Sequence, residues 1–319
     1  METLSAPVTA HNLTGWFILS RSPAPDHNYS VLEEAIDSQT TLLHETGDVN
    51  ELLIENTGDV DLFIQAGDIV KGGKQDRTIG TDFVVPARSG KIPLPVYCVE
   101  QSRWQRRSSE PVTHFSASKD FVSSKKARLA LQLLKNQGEV WKSVAEEQQS
   151  LAFALADEVR SDESPTSLQL TYENEVVRHA VADYTTLLEG APATAGGRVV
   201  GVVWAINDVP SHADRYVHPT LFAKLWRKLL RAAAIEALGQ SRRRTPAGET
   251  AGATEPPTTD AIREWLAARE LLESSRLDEE RLAPRTRVRT HRGRSQHRFE
   301  VFDTALDAAT PLHVTVIAE

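Results

Sequence analysis

The chain has 319 residues, 40% of them hydrophobic and 25% charged, and 36 Lys plus Arg against 44 Asp plus Glu give a formal charge of −8. That balance belongs to a globular chain long enough for one large domain or two ordinary ones; collagen and coiled-coil classes are excluded, and no stretch reaches the about 18 uncharged apolar residues of a membrane span. A single cysteine, Cys98, excludes an internal disulfide and any cysteine-built zinc site, and residues 1–11 lack the basic and apolar regions expected of a secretory signal.

The first hundred residues read as β. Residues 13–19 form an apolar run. Residues 49–55 lead into the turn cluster Asn56-Thr57-Gly58-Asp59, and 60–65 resume the strand pattern, which predicts a hairpin. Residues 79–86 and 92–100 are further strand-like runs, with Arg88-Ser89-Gly90 turning between them. Only 32–36 read as a short helix. From about Lys125 the period becomes helical through Leu129, Leu133, Leu134, Val140, Trp141 and Val144, with a break at Gly138. Val176, Val177, Ala180, Tyr184 and Leu187 repeat that pattern within 173–188.

Residues 198–206 are β-branched and predict a buried strand. Pro219 opens the strongest helix, whose stripe is Leu221, Phe222, Leu225, Trp226, Leu229, Leu230 and Ala233, and Gly239 is its stop. Residues 241–259, rich in Ala, Thr, Gly and Pro, predict a flexible linker or insertion. Asp260 is placed to cap a helix bearing Ile262, Trp265, Leu266 and Leu272, and 285–289, 298–302 and 312–317 close the chain as strands. These late strands are too few for a sheet of their own. The prediction is therefore an α+β fold, an N-terminal antiparallel β meander completed by late strands and packed against amphipathic helices. A core domain of 10–240 divides into a β-rich part (10–110), a helical part (121–190) and a strand-helix part (197–239), and 260–319 completes the same domain.

The acidic total hides a local asymmetry. Residues 71–107 carry eight basic residues against three acidic ones, a net of +5, and 281–298 hold seven arginines and no carboxylate. Lys71-Gly72-Gly73-Lys74-Gln75-Asp76-Arg77 puts three cations and two glycines between strands. Such glycines turn backbone N–H groups inward while Lys and Arg add charge, which is how a loop holds phosphate or carboxylate. A solvated turn whose glycines only permit positive φ explains the same residues. It is not a Walker loop, because Gly73 stands where the lysine belongs. At the next strand exit, Glu100-Gln101-Ser102-Arg103-Trp104 offers a carboxylate, an amide, a guanidinium and an indole, suited to a ligand with a ring or ribose. An internal Glu–Arg pair over a half-buried Trp is the plainer alternative. Glu100 and Asp76 are the candidate acid/base groups.

Residues 55–59, 67–77 and 95–104 together resemble one bacterial family, the domain named for association with ADP-ribosylglycohydrolases and rhodanese/phosphatase-superfamily proteins. Val140-Trp141, Ser164-Pro165-Thr166 and 201–207 running into Asp214 and the Trp226 helix fit it as well. The resemblance covers residues 10–240, whereas the insertion after Gly239 and the basic tail depart from it. It implies a link to NAD and ADP-ribose metabolism and carries over no catalytic residues.

Other constellations fail. The sequence has no Gly-x-Gly-x-x-Gly unit and no Gly-x-Ser-x-Gly elbow. His212 and His218 flank Asp214, which surface-loop histidines explain, and no metal site is expected. Cys98, mid-run in an apolar strand, reads as a buried, inert thiol. Asn207 and Asp214 bracket the connection between the 198–206 strand and the Pro219 helix, where ligand groups project in α/β arrangements. A turn at Asn207-Asp208 and a helix cap at Asp214 explain them too.

The first functional reading is binding or processing of a phosphate-bearing small molecule, such as an ADP-ribose or NAD derivative. Lys71, Gly72, Gly73, Lys74 and Arg77 hold its anion, while Gln75, Gln101, Arg103 and Trp104 orient the rest; Asn207 and Asp214 are further candidates. Alanine at Arg77 is then expected to abolish binding with little loss of stability. The alternative is a non-enzymatic scaffold or regulatory protein that meets a neighbouring enzyme through residues 240–319. Nucleic acid ranks behind both, because the 281–298 run lacks the aromatics on which single strands stack. No membrane partner and a cytoplasmic location are expected, and the sequence names no cofactor.

Overall fold

The computed structural model describes residues 2–23, 26–73, 75–101, 115–241, 255–267, 277–283, 286–294, 298–306 and 311–318; in the last two of the 277–306 strands and the one before them, and at 119–121 and 133, it describes backbone only. The chain forms two compact units, Met1–Asp26 with Val181–Glu319 and, inserted between these pieces, His27–Ala180. The first unit opens with β1 (Glu2–Leu4), β2 (Val8–Ala10) and β3 (Leu13–Ser20). The second holds β4 (Tyr29–Val31), α1 (Leu32–Asp37), β5 (Thr41–Glu45), β6 (Glu51–Asn56), β7 (Asp61–Ile64), β8 (Asp68–Lys71), β9 (Arg77–Ile79), β10 (Phe83–Val85), β11 (Ile92–Cys98) and β12 (Ser116–Val122). Then come α2 (Lys125–Leu129), a π-helical turn (Ala130–Leu134), α3 (Gln137–Leu155) and α4 (Leu168–Glu173). The helix α5 (Glu175–Leu188) carries the chain back into the first unit. There follow α6 (Ala191–Thr194), β13 (Arg198–Ile206), β14 (Val209–Tyr216), α7 (Pro219–Gly239), α8 (Thr259–Ala267), β15 (Leu277–Ala283), β16 (Thr286–Arg294), β17 (Arg298–Leu306) and β18 (His313–Ala318).

In the first unit the early strands do join the late ones, and the fold is α+β. The sheet runs β1-β3-β13-β14-β18-β17-β16-β15 with β2 beside β3, and every pairing is antiparallel. Alternation assigns its two faces. Phe17, Trp204 and Tyr216 meet Phe222 and Trp226 of α7, whereas Trp16, Ile18, Val203, Ala213, Val314 and Val316 cluster with Ile262 and Trp265 of α8. Trp204 stacks on Trp226 with ring centroids 5.8 Å apart and 12° between planes. Gly15 makes room for that indole, since a Cβ there would lie 2.7 Å from Trp204 Cζ3.

Two local expectations are corrected here. Residues 207–214 are not a loop: Asn207 and Asp208, at φ 50° and 64°, make the two-residue turn of a β13–β14 hairpin, and Asp214 lies in mid-strand. Alternating His, Asp and Tyr conceal β14 because polar residues occupy its buried face. At α8 the cap is Thr258, whose Oγ1 accepts the Ala261 N–H at 3.1 Å, so Asp260 sits inside the first turn. The 241–259 segment lies largely outside the described residues.

The second unit contains a sheet ordered β12-β8-β9-β11-β6-β5 and a smaller one ordered β10-β7-β4, in which β4 runs parallel to β7. The expected hairpin between 49–55 and 60–65 does not form, because β6 pairs with β5 and β11 while β7 pairs with β10 and β4. Asn56 is the physical reason. Its Nδ2 donates to the carbonyls of Val60, Val85 and Pro86, and its Oδ1 accepts the Gly58 N–H, so the turn is bound to the β10 end and hands the chain to the other sheet. The run 79–86 is divided in the same way between β9 and β10. The helical break falls at Lys135, at φ 46°, and Asn136 caps α3 by accepting from Gly138 and Glu139; Gly138 itself is helical. Among the described residues no helix is long and apolar enough to cross a membrane.

Replacing Asn56 with Ala removes these hydrogen bonds, the one to the Val85 carbonyl fully buried, and should cost about 1–3 kcal/mol. Urea unfolding of Asn56→Ala checks this; an unchanged midpoint would remove Asn56 as the organiser of the crossing.

Candidate functional site

The Gly-Gly turn connects β8 to β9. Gly72 and Gly73 both have positive φ, at 126° and 59°, so the backbone conformation itself calls for glycine. Arg77, first residue of β9, stands opposite Cys98, the last of β11. Side chains of directly opposed residues lie on one face, so the register brings guanidinium and thiol together. Arg77 Nη1 donates to Cys98 Sγ at 2.8 Å and to Gln75 Oε1 at 3.1 Å, and the thiol donates to the same Gln75 oxygen at 2.7 Å. Glu45, the last residue of β5, reaches Arg77 Nη2 with Oε2 at 3.5 Å.

A second layer ties this cluster to the Glu100 segment. Gln75 Nε2 donates to the Glu100 carbonyl at 3.2 Å, and the Asp76 N–H donates to Glu100 Oε2 at 3.3 Å. Ser167 Oγ donates to Asp76 Oδ2 at 3.3 Å. The Gln137 side-chain amide imitates a neighbouring strand: it accepts the Cys98 N–H and donates to the Cys98 carbonyl, both at 2.8 Å. Thr166 makes the same double contact with the backbone of Gln101. Gln75, Asp76, Cys98 and Glu100 are each 0% exposed and Arg77 is 2% exposed. Burial pushes the Cys98 thiol above its usual range; the Arg77 charge and hydrogen bond act the other way and do not overcome it.

Four of the expected site residues in this stretch converge, with one correction. Gln75, Asp76, Arg77 and Glu100 share the cluster, and Gln101 is exposed beside it. Arg77 is not an open cation on a loop. Its donors serve Gln75, Cys98 and Glu45, and removing one member of a buried charge cluster costs about 3–5 kcal/mol, so Arg77→Ala is destabilising. Lys71 pairs with Glu173 at 2.5 Å, and Gln169 steadies that carboxylate at 2.9 Å. Lys74, Arg103 and Trp104 lie outside the described residues.

Asn207 and Asp214 belong to the other unit. Asn207 Nδ2 donates to the Gln240 carbonyl and its Oδ1 accepts from Asn12, tying the hairpin tip to the end of α7. Asp214 caps no helix; its Oδ1 accepts Thr315 Oγ1 at 2.8 Å and lies 3.2 Å from His313 Nε2, whose ring stacks on Tyr216 at 4.3 Å. His212 and His218 are buried at 2% and 3% exposure rather than sitting on a surface loop. Sequence reasoning missed Glu45, Gln137 and Ser167. Ser167 follows the noticed Ser164-Pro165-Thr166, and Gln137 follows the Asn136 cap, but Glu45 carries no local signal.

The second unit thus defines a class: an α+β protein that encloses Gln, Asp, Arg, Cys and Glu side chains behind a two-glycine turn. The chain belongs to the family of the ARG and Rhodanese-Phosphatase-superfamily-associated Protein domain, whose model matches residues 2–315. That match takes in the segment after Gly239 and the late strands, which the resemblance of residues 10–240 leaves out. By its name the family is associated with other proteins. No curated protein and no solved structure matches the chain.

Cys98 should react with a disulfide reagent at pH 8 about a hundredfold more slowly in the native protein than in denaturant. Because folding raises its pKa, the neutral thiol adds stability in full below the unfolded value of about 8.5 and loses it as pH rises through the folded value. Equal reaction rates in the two states would contradict the burial.

Proposed function

We propose that the His27–Ala180 unit binds or processes a phosphate-bearing small molecule of the ADP-ribose or NAD class at the Lys71–Arg77 turn. The observation that carries this reading is the enclosure of Gln75, Asp76, Arg77, Cys98 and Glu100 behind paired glycines. A core built for stability alone would fill that place with apolar side chains, because buried charge is costly even when paired. Such a departure from the stabilising pattern is what ligand sites tolerate. Lys71, Lys74 and the backbone of Gly72 and Gly73 hold the phosphate, with Arg77 behind them. Gln75, Gln101, Arg103 and Trp104 orient the rest. Asp76 and Glu100 are the acid/base pair if a bond is broken. The choice of ligand class rests on the resemblance given above, to a family named for association with ADP-ribosylglycohydrolases. Asn207 and Asp214 take no part in this reading.

The same name favours a second reading, a regulatory protein that docks on a neighbouring enzyme. A thermal-shift and calorimetric screen of the full chain against ADP-ribose, NAD, nucleotides and sugar phosphates decides between them. A ligand at 100 times its Kd should add about 2.7 kcal/mol of stability, and Lys71→Met should weaken binding while leaving the unliganded melting temperature close to wild type. A flat screen would favour the docking protein.

A further inference from the structure

An anion already lies against the Gly-Gly turn, and it belongs to the protein. A Cβ built on Gly73 would lie 2.2 Å from Glu45 Oε1, so the Glu45 carboxylate sits directly against the turn. Its other oxygen, Oε2, is the one that faces Arg77 Nη2 at 3.5 Å. We infer that Glu45 is an internal stand-in for the ligand's anionic group, and that a phosphoryl group binds by displacing it from the turn and from Arg77. This inference rests on the anion-binding reading given above and adds how the site is held before ligand arrives.

Three features support displacement over a permanent pair. Glu45 ends β5, an outer strand of its sheet, and its side chain is 28% exposed, so it has solvent to move into. Arg77 is 2% exposed and cannot leave; its Nε makes no hydrogen bond, and 3.5 Å is a long contact for a guanidinium and a carboxylate. A phosphoryl group carries more charge and more acceptor oxygens than a carboxylate, and a guanidinium accepts either in the same planar geometry. Exchange therefore leaves Arg77 compensated throughout, while Glu45 regains hydration. A neutral ligand gives Arg77 nothing in return and cannot drive the exchange. The occupied turn also lowers apparent affinity by the fraction of time Glu45 fills it.

Glu45→Gln removes the competing charge with little change of shape, and inorganic phosphate and ADP-ribose are the two probes, titrated calorimetrically into the full chain. Glu45→Gln should bind phosphate about tenfold more tightly than wild type, as expected if Glu45 fills the turn about nine-tenths of the time. Glu51→Gln, which removes the same charge from β6, should stay within about twofold. Should Glu45→Gln melt early, Glu45→Asp retracts the carboxylate by one carbon and is expected to tighten phosphate binding to a smaller degree. Unchanged or weaker phosphate binding by the folded variant overturns the inference. If ADP-ribose still binds wild type in that case, the ligand reading survives alone. Tighter phosphate binding with no response to ADP-ribose leaves the displacement standing and removes the ligand class. Silence from both probes in every variant removes both.

Discussion

A guanidinium that has been taken out of water must be compensated where it lies, and much of the second unit follows from that requirement at Arg77. Moving such an ion into a protein interior costs several kcal/mol unless charge and hydrogen bonds replace its hydration. Glu45 supplies charge from β5, and Gln75 and Cys98 supply acceptors from the turn and from β11. These partners come from separate stretches of chain, so the turn, the β9–β11 register and the β5 end hold only together. Gln137 then pairs with the Cys98 backbone at the end of β11, beyond the stretch that β6 covers.

The first unit solves a different problem, which is to bury large side chains on both faces of one sheet, against α7 on one and α8 on the other. The missing Cβ of Gly15 lets Trp204 lie flat enough to stack on Trp226, while Phe17 and Phe222 meet Trp226 from the sides. On that face Asp214 accepts from Thr315 beside the stacked His313 and Tyr216. Buried polar side chains of this kind fix a register, because a slip by one residue would turn each of them to the opposite face.

Elements whose pattern is set by burial on one side were legible from the sequence. The α7 stripe with Pro219 and Gly239 at its ends, the β-branched run of β13 and the joining of late strands to early ones all follow from periodicity and strand count. The failures share one cause. Pairing across sheets is decided by side chains that act at a distance, as Asn56 does in separating β6 from β7, and no local pattern records the partner. In the same way β14 carries His, Asp and Tyr inward, so polarity reads as a loop. At the site, the chemistry of residues 75–77 and 100 was visible as composition. Their burial was not, because it depends on Glu45, Gln137 and Ser167, which are remote in sequence.

The interrupted course of the first unit has a consequence for the order in which the molecule is made. The partners of β3 are β1, β2 and β13, and β14 closes on β18, so this sheet is assembled from the two ends of the chain. β1, β2 and β3 pair with one another early, but β3 leaves the ribosome long before β13 exists to cover its other edge, whereas His27–Ala180 is continuous and has its own sheets complete once it has emerged. Long-range pairing of this kind is slow, and a continuous unit can fold first during synthesis. The inserted unit is thus the earlier to form, and the apolar β3 keeps one edge unmatched until the second half of the chain arrives, which makes that interval the one in which the nascent protein most needs protection from aggregation.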